Sequence, residues 1–125
     1  YTMVTQPGVF KVSLTAAPVT DHLYYDCILT ERYMGLMDDN AEGYRQSSVI
    51  THAAKLEGKL LLAHSLMDEN VHPQHTFQLV TALNAAGIDF DLKIYPPGAH
   101  GLATDMTTYM LLMNQYTDYL TEYLK

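Results

Sequence analysis

The run Lys59-Leu60-Leu61-Leu62-Ala63-His64 decides the fold. It is short, continuously apolar and without alternation, which is the pattern of a central strand in a parallel sheet, buried on both faces. Downstream, Ser65 to Val71 reads as a loop. Pro73 then stands near the first position of a helix with an apolar stripe of Phe77, Leu79, Val80 and Leu83, stopped at Gly87. The stretch Ile88-Asp89-Phe90-Asp91-Leu92-Lys93-Ile94-Tyr95 alternates with period two, as a half-buried strand near a sheet edge does. Pro96 to Gly101 is irregular by composition, and Asp105 opens a long helix. Its apolar positions Met106, Tyr109, Met110, Met113, Tyr116, Leu120 and Leu124 recur every three or four residues.

Upstream of the central run, Val9 to Ala16 follows the Pro7-Gly8 break and alternates with β-branched enrichment, a third half-buried strand ended by Pro18. Thr20 or Asp21 can cap a helix through Tyr33 that closes at Gly35, with Leu23, Tyr24, Cys27 and Ile28 turned inward. Met37 to Gly43 reads as a polar loop, and Ser47 or Ser48 caps a short helix toward Leu56, ended by Gly58. The order is strand, helices, strand, helix, strand, helix. Strands near residues 10–16, 59–64 and 89–95 separated by helices form an α/β parallel sheet with helical crossovers.

Composition limits what such a sheet can serve. Of 125 residues, 48% are hydrophobic and 17% charged, enough for one packed core and incompatible with wholesale disorder. A net charge of −7 argues against a sequence-independent nucleic-acid surface, because few cations are available to displace phosphate counterions. The central apolar run is far short of the roughly 20 residues of a membrane-spanning helix. The single cysteine, Cys27, excludes an internal disulfide and a thiolate-rich zinc site, and reads as a small core residue. The chain opens on Tyr1-Thr2-Met3-Val4-Thr5-Gln6, which reads as the last turns of a helix, and three strands leave edges unpaired. Both features lead to the expectation of a piece of a larger domain.

In open parallel sheets, functional side chains gather in the loops at the carboxyl ends of the strands. The loop after the central strand holds Asp68, Glu69, Asn70 and His72; the loop after the last strand holds His100, with Gly101 giving it backbone freedom. A carboxylate that accepts the Nδ1 proton of an imidazole fixes its tautomer and makes it a useful general base. An Asp and a His in two loops also arise as a helix cap and an exposed histidine. Their order adds weight, because nucleophile, acid, histidine is the chain order of α/β-hydrolases, whose nucleophile sits on a strand-to-helix turn. None of Ser13, Ser47, Ser48 and Ser65 has a Gly-x-Ser-x-Gly setting, so the nucleophile is expected before Tyr1.

The wording of the sequence carries a resemblance. Gly8-Val9-Phe10-Lys11, Ala17-Pro18-Val19-Thr20, Tyr24-Tyr25-Asp26, Thr30-Glu31-Arg32-Tyr33-Met34-Gly35-Leu36 and Tyr44-Arg45-Gln46-Ser47-Ser48 resemble the catalytic domain of dipeptidyl peptidase IV-like enzymes. These are serine peptidases of the prolyl oligopeptidase family. Leu61 to His72 resembles the family's His-Gly-x-x-Asp-Asp-Asn-Val-His segment, and Tyr95-Pro96 through His100-Gly101-Leu102 its histidine segment. The resemblance implies the C-terminal half of an α/β-hydrolase sheet over residues 1–125, without the nucleophile elbow and the N-terminal propeller. It implies Asp68 as triad acid, His100 as triad base, Asn70 as the holder of a substrate carbonyl, and Tyr25, Tyr33, Val19 and Val71 as the lining of a pocket for proline or alanine. The activity implied is release of N-terminal dipeptides from peptide substrates, by the full-length protein and not by these residues alone. The resemblance calls for no cofactor, allows a homodimer of the full-length protein, and accords better with a periplasmic or extracellular site than a cytoplasmic one.

This sequence departs from the family pattern at four places. Ser65 stands for the usual Gly and Glu69 for the second Asp, while Leu29 and His22 replace a common pocket Tyr and Trp. His64, Asp68, His72 and His75 are better read as strand-end, loop and cap residues than as metal ligands. A flavodoxin-like binding module has the right size, but it needs five strands and an acidic cluster after the first. A catalytically inactive homologue and another α/β-hydrolase or oligopeptidase are the remaining alternatives, and the residue at the nucleophile position decides the first.

Overall fold

A computed structural model describes residues 1–125. Three parallel strands, β1 (Val12–Ala16), β2 (Lys59–Ser65) and β3 (Asp91–Tyr95), lie in the order β1-β2-β3. The register runs from Val12 against Lys59 to Ala16 against Ala63, and from Leu61 against Asp91 to Ser65 against Tyr95. Six helices accompany them: α1 (Thr2–Thr5), α2 (Cys27–Met34), α3 (Ala41–Ser47), α4 (Val49–His52), α5 (Gln74–Ala85) and α6 (Met106–Tyr123). The expected α/β class, parallel pairing and central place of β2 all hold.

The continuous apolarity of β2 follows from having cores on both sides. Side chains alternate across a strand, so Leu60 and Leu62 pack with Leu79 and Leu83 of α5, Met3 and Val4 of α1, and Ala53 and Leu56. On the opposite face Ala63 packs with Tyr95, Ala17, Leu102 and Leu112 of α6. Leu83 has no exposed surface at all. Leu83→Ala is expected to lower unfolding free energy by about 2–5 kcal/mol, measured by denaturant titration of the protein that carries this chain.

The strands are shorter than their sequence patterns. β1 begins at Val12, leaving Val9 and Phe10 64% and 48% exposed, because pairing starts only where Lys59 reaches it. Gly58 makes that junction: its φ is +91°, and a Cβ there would lie 2.6 Å from the Lys11 carbonyl oxygen. β3 likewise begins at Asp91, opposite Leu61.

Helices differ more. The helix expected from Thr20 to Tyr33 is two elements, because two aspartates cap in succession. Asp21 accepts from the Leu23 amide and opens a 3₁₀ turn at His22–Tyr24, whereas Asp26 accepts from the Leu29 amide and opens α2. Leu23, Tyr24, Cys27 and Ile28, expected inside, are all exposed, and Thr30 is the buried residue of α2. The expected polar loop at Met37–Gly43 contains a 3₁₀ turn (Met37–Asp39) and the start of α3. Ser48 stands before α4 but its hydroxyl donates to Asp21 Oδ2 at 2.7 Å instead of capping. α5 buries Leu79 and Leu83 as expected, yet Phe77 is exposed. In α6 the buried arc is Leu112 and Tyr119 flanked by Met113, Tyr116 and Leu120, while Met106, Tyr109, Met110 and Leu124 face outward. That helix is apolar around much of its girth, so periodicity allowed more than one arc and contact with Ala63 and Tyr95 selected one.

Candidate active site

Adjacent, parallel β2 and β3 deliver their following loops to the same edge of the sheet, with Ser65 level with Tyr95. Three residues beyond Ser65, Asp68 is turned fully inside, its side chain without exposed surface. Its Oδ1 accepts the amides of Asn70 (3.0 Å) and Val71 (2.8 Å), the local turn that aspartate favours. From the other loop, His100 places Nδ1 3.0 Å from Asp68 Oδ2 and 3.2 Å from Oδ1. The side chain of His100 is 43% exposed and Nε2 makes no hydrogen bond. The carboxylate therefore accepts a hydrogen bond from Nδ1–H and leaves the Nε2 lone pair outward, an arrangement able to accept a proton from a neighbouring group.

Burial by itself raises the Asp68 pKa. The hydrogen bonds from His100, Val71 and Asn70 outweigh it and hold the carboxyl below the ordinary carboxylate range. A depressed folded pKa supplies stability that is complete above the unfolded value and is lost as pH falls through the folded one. Wild-type unfolding free energy is thus expected to drop as pH falls below about 4, and Asp68→Asn to flatten that drop, as read from denaturant titrations across an acid series.

The His100 loop is held by its backbone. The Gly98 amide donates to the Tyr95 carbonyl and the Leu102 amide to the Ala99 carbonyl, and Leu102 is buried against α6. The left-handed residue is Leu102, with φ +62°, and not Gly101, to which the sequence reading assigned the freedom. Tertiary anchoring of the Leu102 side chain explains why a non-glycine holds that conformation.

Of the expected pocket residues, Tyr25 joins this group directly: its hydroxyl donates to Asn70 Oδ1 at 2.9 Å. Val71 is buried beside it in the Asp68 turn. Tyr33 stands on α2, 76% exposed and outside the hydrogen-bonded group. Val19 lines an apolar cavity of about 320 Å³ next to β1, with Phe10, Val12, Leu60 and Leu62, a lining that includes neither Tyr25 nor Asn70. Glu69 is exposed, and His72 Nδ1 accepts from the Gln74 amide. Two histidines carry more than the sequence reading gave them. His64 and His75 have no exposed surface, and both are hydrogen-bonded through both ring nitrogens. The signal for His64 was its position in a buried strand, since a buried polar group needs partners.

No three His, Cys, Asp or Glu side chains are grouped to hold a metal ion. No helix is long and apolar enough to cross a membrane.

Known proteins share the sequence pattern and the fold. The prolyl oligopeptidase family model matches residues 1–125. Dipeptidyl peptidase 8 of Mus musculus is 42% identical over 103 residues, which are 80% of this chain and 12% of that protein. Dipeptidyl peptidase 4 of Sus scrofa is 44% identical over 102 residues, 79% of this chain and 13% of that protein. The crystal structure of Porphyromonas gingivalis dipeptidyl peptidase 4 superposes with a TM-score of 0.93 at 35% identity, covering 97% of this chain and 17% of that one. The chain thus spans a small part of the length of the relatives it matches. With a family match along its whole length and a fold superposing on a solved dipeptidyl peptidase, the chain belongs to the prolyl oligopeptidase family.

Proposed function

We propose that residues 1–125 are the C-terminal portion of an α/β-hydrolase catalytic domain, and that the longer protein is a serine peptidase releasing N-terminal dipeptides after proline or alanine. The observation that carries this reading is the 3.0 Å contact between His100 Nδ1 and buried Asp68 Oδ2. A serine from the preceding part of the domain gives its proton to His100 Nε2 as it attacks the scissile carbonyl. Asp68 stabilises the imidazolium so formed, and His100 then returns the proton to the leaving amine. Asn70 has a matching role. Its Oδ1 is occupied by the Tyr25 hydroxyl, which leaves the Nδ2 hydrogens to donate to a substrate carbonyl. Tyr25 and Val71, next to Asn70, line the slot for a small flat side chain. Tyr33 and Val19, which stand outside that hydrogen-bonded group, are assigned to it by the family resemblance alone, as are Leu29 and His22 where the family pattern has Tyr and Trp.

The test compares the full-length protein with the 125-residue chain. The full-length protein is expected to hydrolyse Gly-Pro and Ala-Pro chromogenic dipeptides, and the chain alone to show no turnover above buffer, since it lacks a nucleophile. Turnover by the chain alone overturns the site assignment. A full-length protein without turnover is an inactive homologue.

A further inference from the structure

The first turn of α5 presents two consecutive residues, His75 and Thr76, both without exposed surface. They are bonded to different parts of the site. Thr76 Oγ1 lies 2.7 Å from His64 Nδ1, and the other ring nitrogen of His64 faces two acceptors, the Val71 carbonyl at 2.8 Å and Asp68 Oδ2 at 3.3 Å. One tautomer satisfies this set: the Thr76 hydroxyl donates to Nδ1, and Nε2–H donates to the Val71 carbonyl with the carboxylate close by. The opposite tautomer sets a ring lone pair against two oxygens in a site closed to water, which is costly. Asp68 then receives three hydrogen bonds, from the amides of Asn70 and Val71 on Oδ1 and from the imidazole of His100, while Nε2–H of His64, bonded to the Val71 carbonyl, lies 3.3 Å from Oδ2.

His75 works on another segment. Its Nδ1 accepts the Thr20 amide at 3.3 Å, its Nε2–H donates to the Tyr24 carbonyl at 3.1 Å, and its own carbonyl accepts the Thr20 hydroxyl at 2.7 Å. Three bonds thereby seat residues 20–24 on α5, immediately before Tyr25 and the hydroxyl that meets Asn70. Burial lowers the pKa of His75, which keeps the ring neutral and Nδ1 able to accept.

We propose that the first turn of α5 divides the positioning of the site, Thr76 acting through His64 on the acid Asp68, and His75 acting through Thr20 and Tyr24 on the pocket residue Tyr25. The inference rests on the roles assigned to Asp68 and Tyr25 above. All three are positioning residues, and the division gives them different kinetic signatures. In the full-length protein, Thr76→Val removes the hydroxyl at nearly constant volume and is expected to lower kcat about 10- to 100-fold with little change in KM. Thr76→Ser restores the donor and most of kcat. His75→Leu is expected to raise KM about tenfold with a smaller effect on kcat, and His75→Gln, which keeps one acceptor and one donor, to recover most of it. Equal effects on the same parameter, or failure of both conservative variants to rescue, overturn the division. Neutron diffraction from the wild-type protein tests it without relying on variants that fold. Hydrogen on His64 Nε2 and on Thr76 Oγ1 toward Nδ1 supports it; hydrogen on His64 Nδ1 overturns it. A wild-type protein with no peptidase activity overturns the proposed function instead, and the neutron result still decides the bracing.

Discussion

Asp68→Asn in the full-length protein is expected to lower kcat about 10,000-fold with KM little changed, a loss of the size seen when a triad acid becomes an amide. The geometry says why. An asparagine can keep its oxygen on the Asn70 and Val71 amides, where Oδ1 now sits. Its NH2 then replaces Oδ2 and meets the Nδ1–H of His100, donor against donor. His100 escapes by moving its proton to Nε2, and with that proton in place Nε2 cannot accept one from a nucleophile. Glu69→Gln, one residue on, is expected to leave both constants near wild type because Glu69 is exposed and makes no bond to His100. Steady-state kinetics of the two variants side by side check the assignment. Equal losses, or a larger loss at Glu69, place the acid elsewhere.

Gly98→Ala is expected to lower kcat/KM about 100-fold, through misplacement of His100, and to lower stability by about 1–3 kcal/mol, as overpacking does. The cause is close approach of backbone and not a special φ. A Cβ on Gly98 runs into the Leu102 carbonyl and comes within 3.1 Å of Ser65 Oγ. A carbonyl cannot rotate aside as a side chain can, and Leu102 is pinned by its burial against Leu112 and Tyr95. The strain must move the loop between Gly98 and Leu102, which carries His100. Gly101→Ala is the control: a Cβ there meets nothing within 4 Å and its φ is not left-handed, so little loss is expected. Kinetics and thermal melts of both variants separate local displacement from general intolerance of the loop. Full activity in Gly98→Ala contradicts the geometry.

Much of this site was legible before any coordinates. The apolarity of Leu60 to Ala63 places a strand between two cores, and Asp68 and His100 follow the carboxyl ends of strands that pair side by side. Family-like wording around Tyr25 and Asn70 marked two residues that turn out to share a hydrogen bond. Periodicity was a weaker guide for the helices. It names residues on a common arc and is silent about which arc meets a partner, so Leu23, Tyr24, Cys27 and Ile28 read as inward and stand in the open.

The sequence by itself determined the local terms: the three strands in their order, the helices after β2 and β3 with the Asp105 cap, and the loops that carry Asp68 and His100. Those follow from forces between near neighbours in the chain, namely backbone sterics, capping bonds and the period of apolar residues. Only the tertiary structure decided that Leu112 and Tyr119 form the inner arc of α6, and that Leu102 rather than Gly101 takes the left-handed turn. It also decided that Val19 lines a cavity to which Tyr25 does not contribute. The braces belong to the same class, because Thr76 finds His64 across 12 residues and Thr20 finds His75 across 55. Such partners are set by how the sheet and α5 pack. A buried polar atom must take a partner from whatever packing brings within about 3 Å.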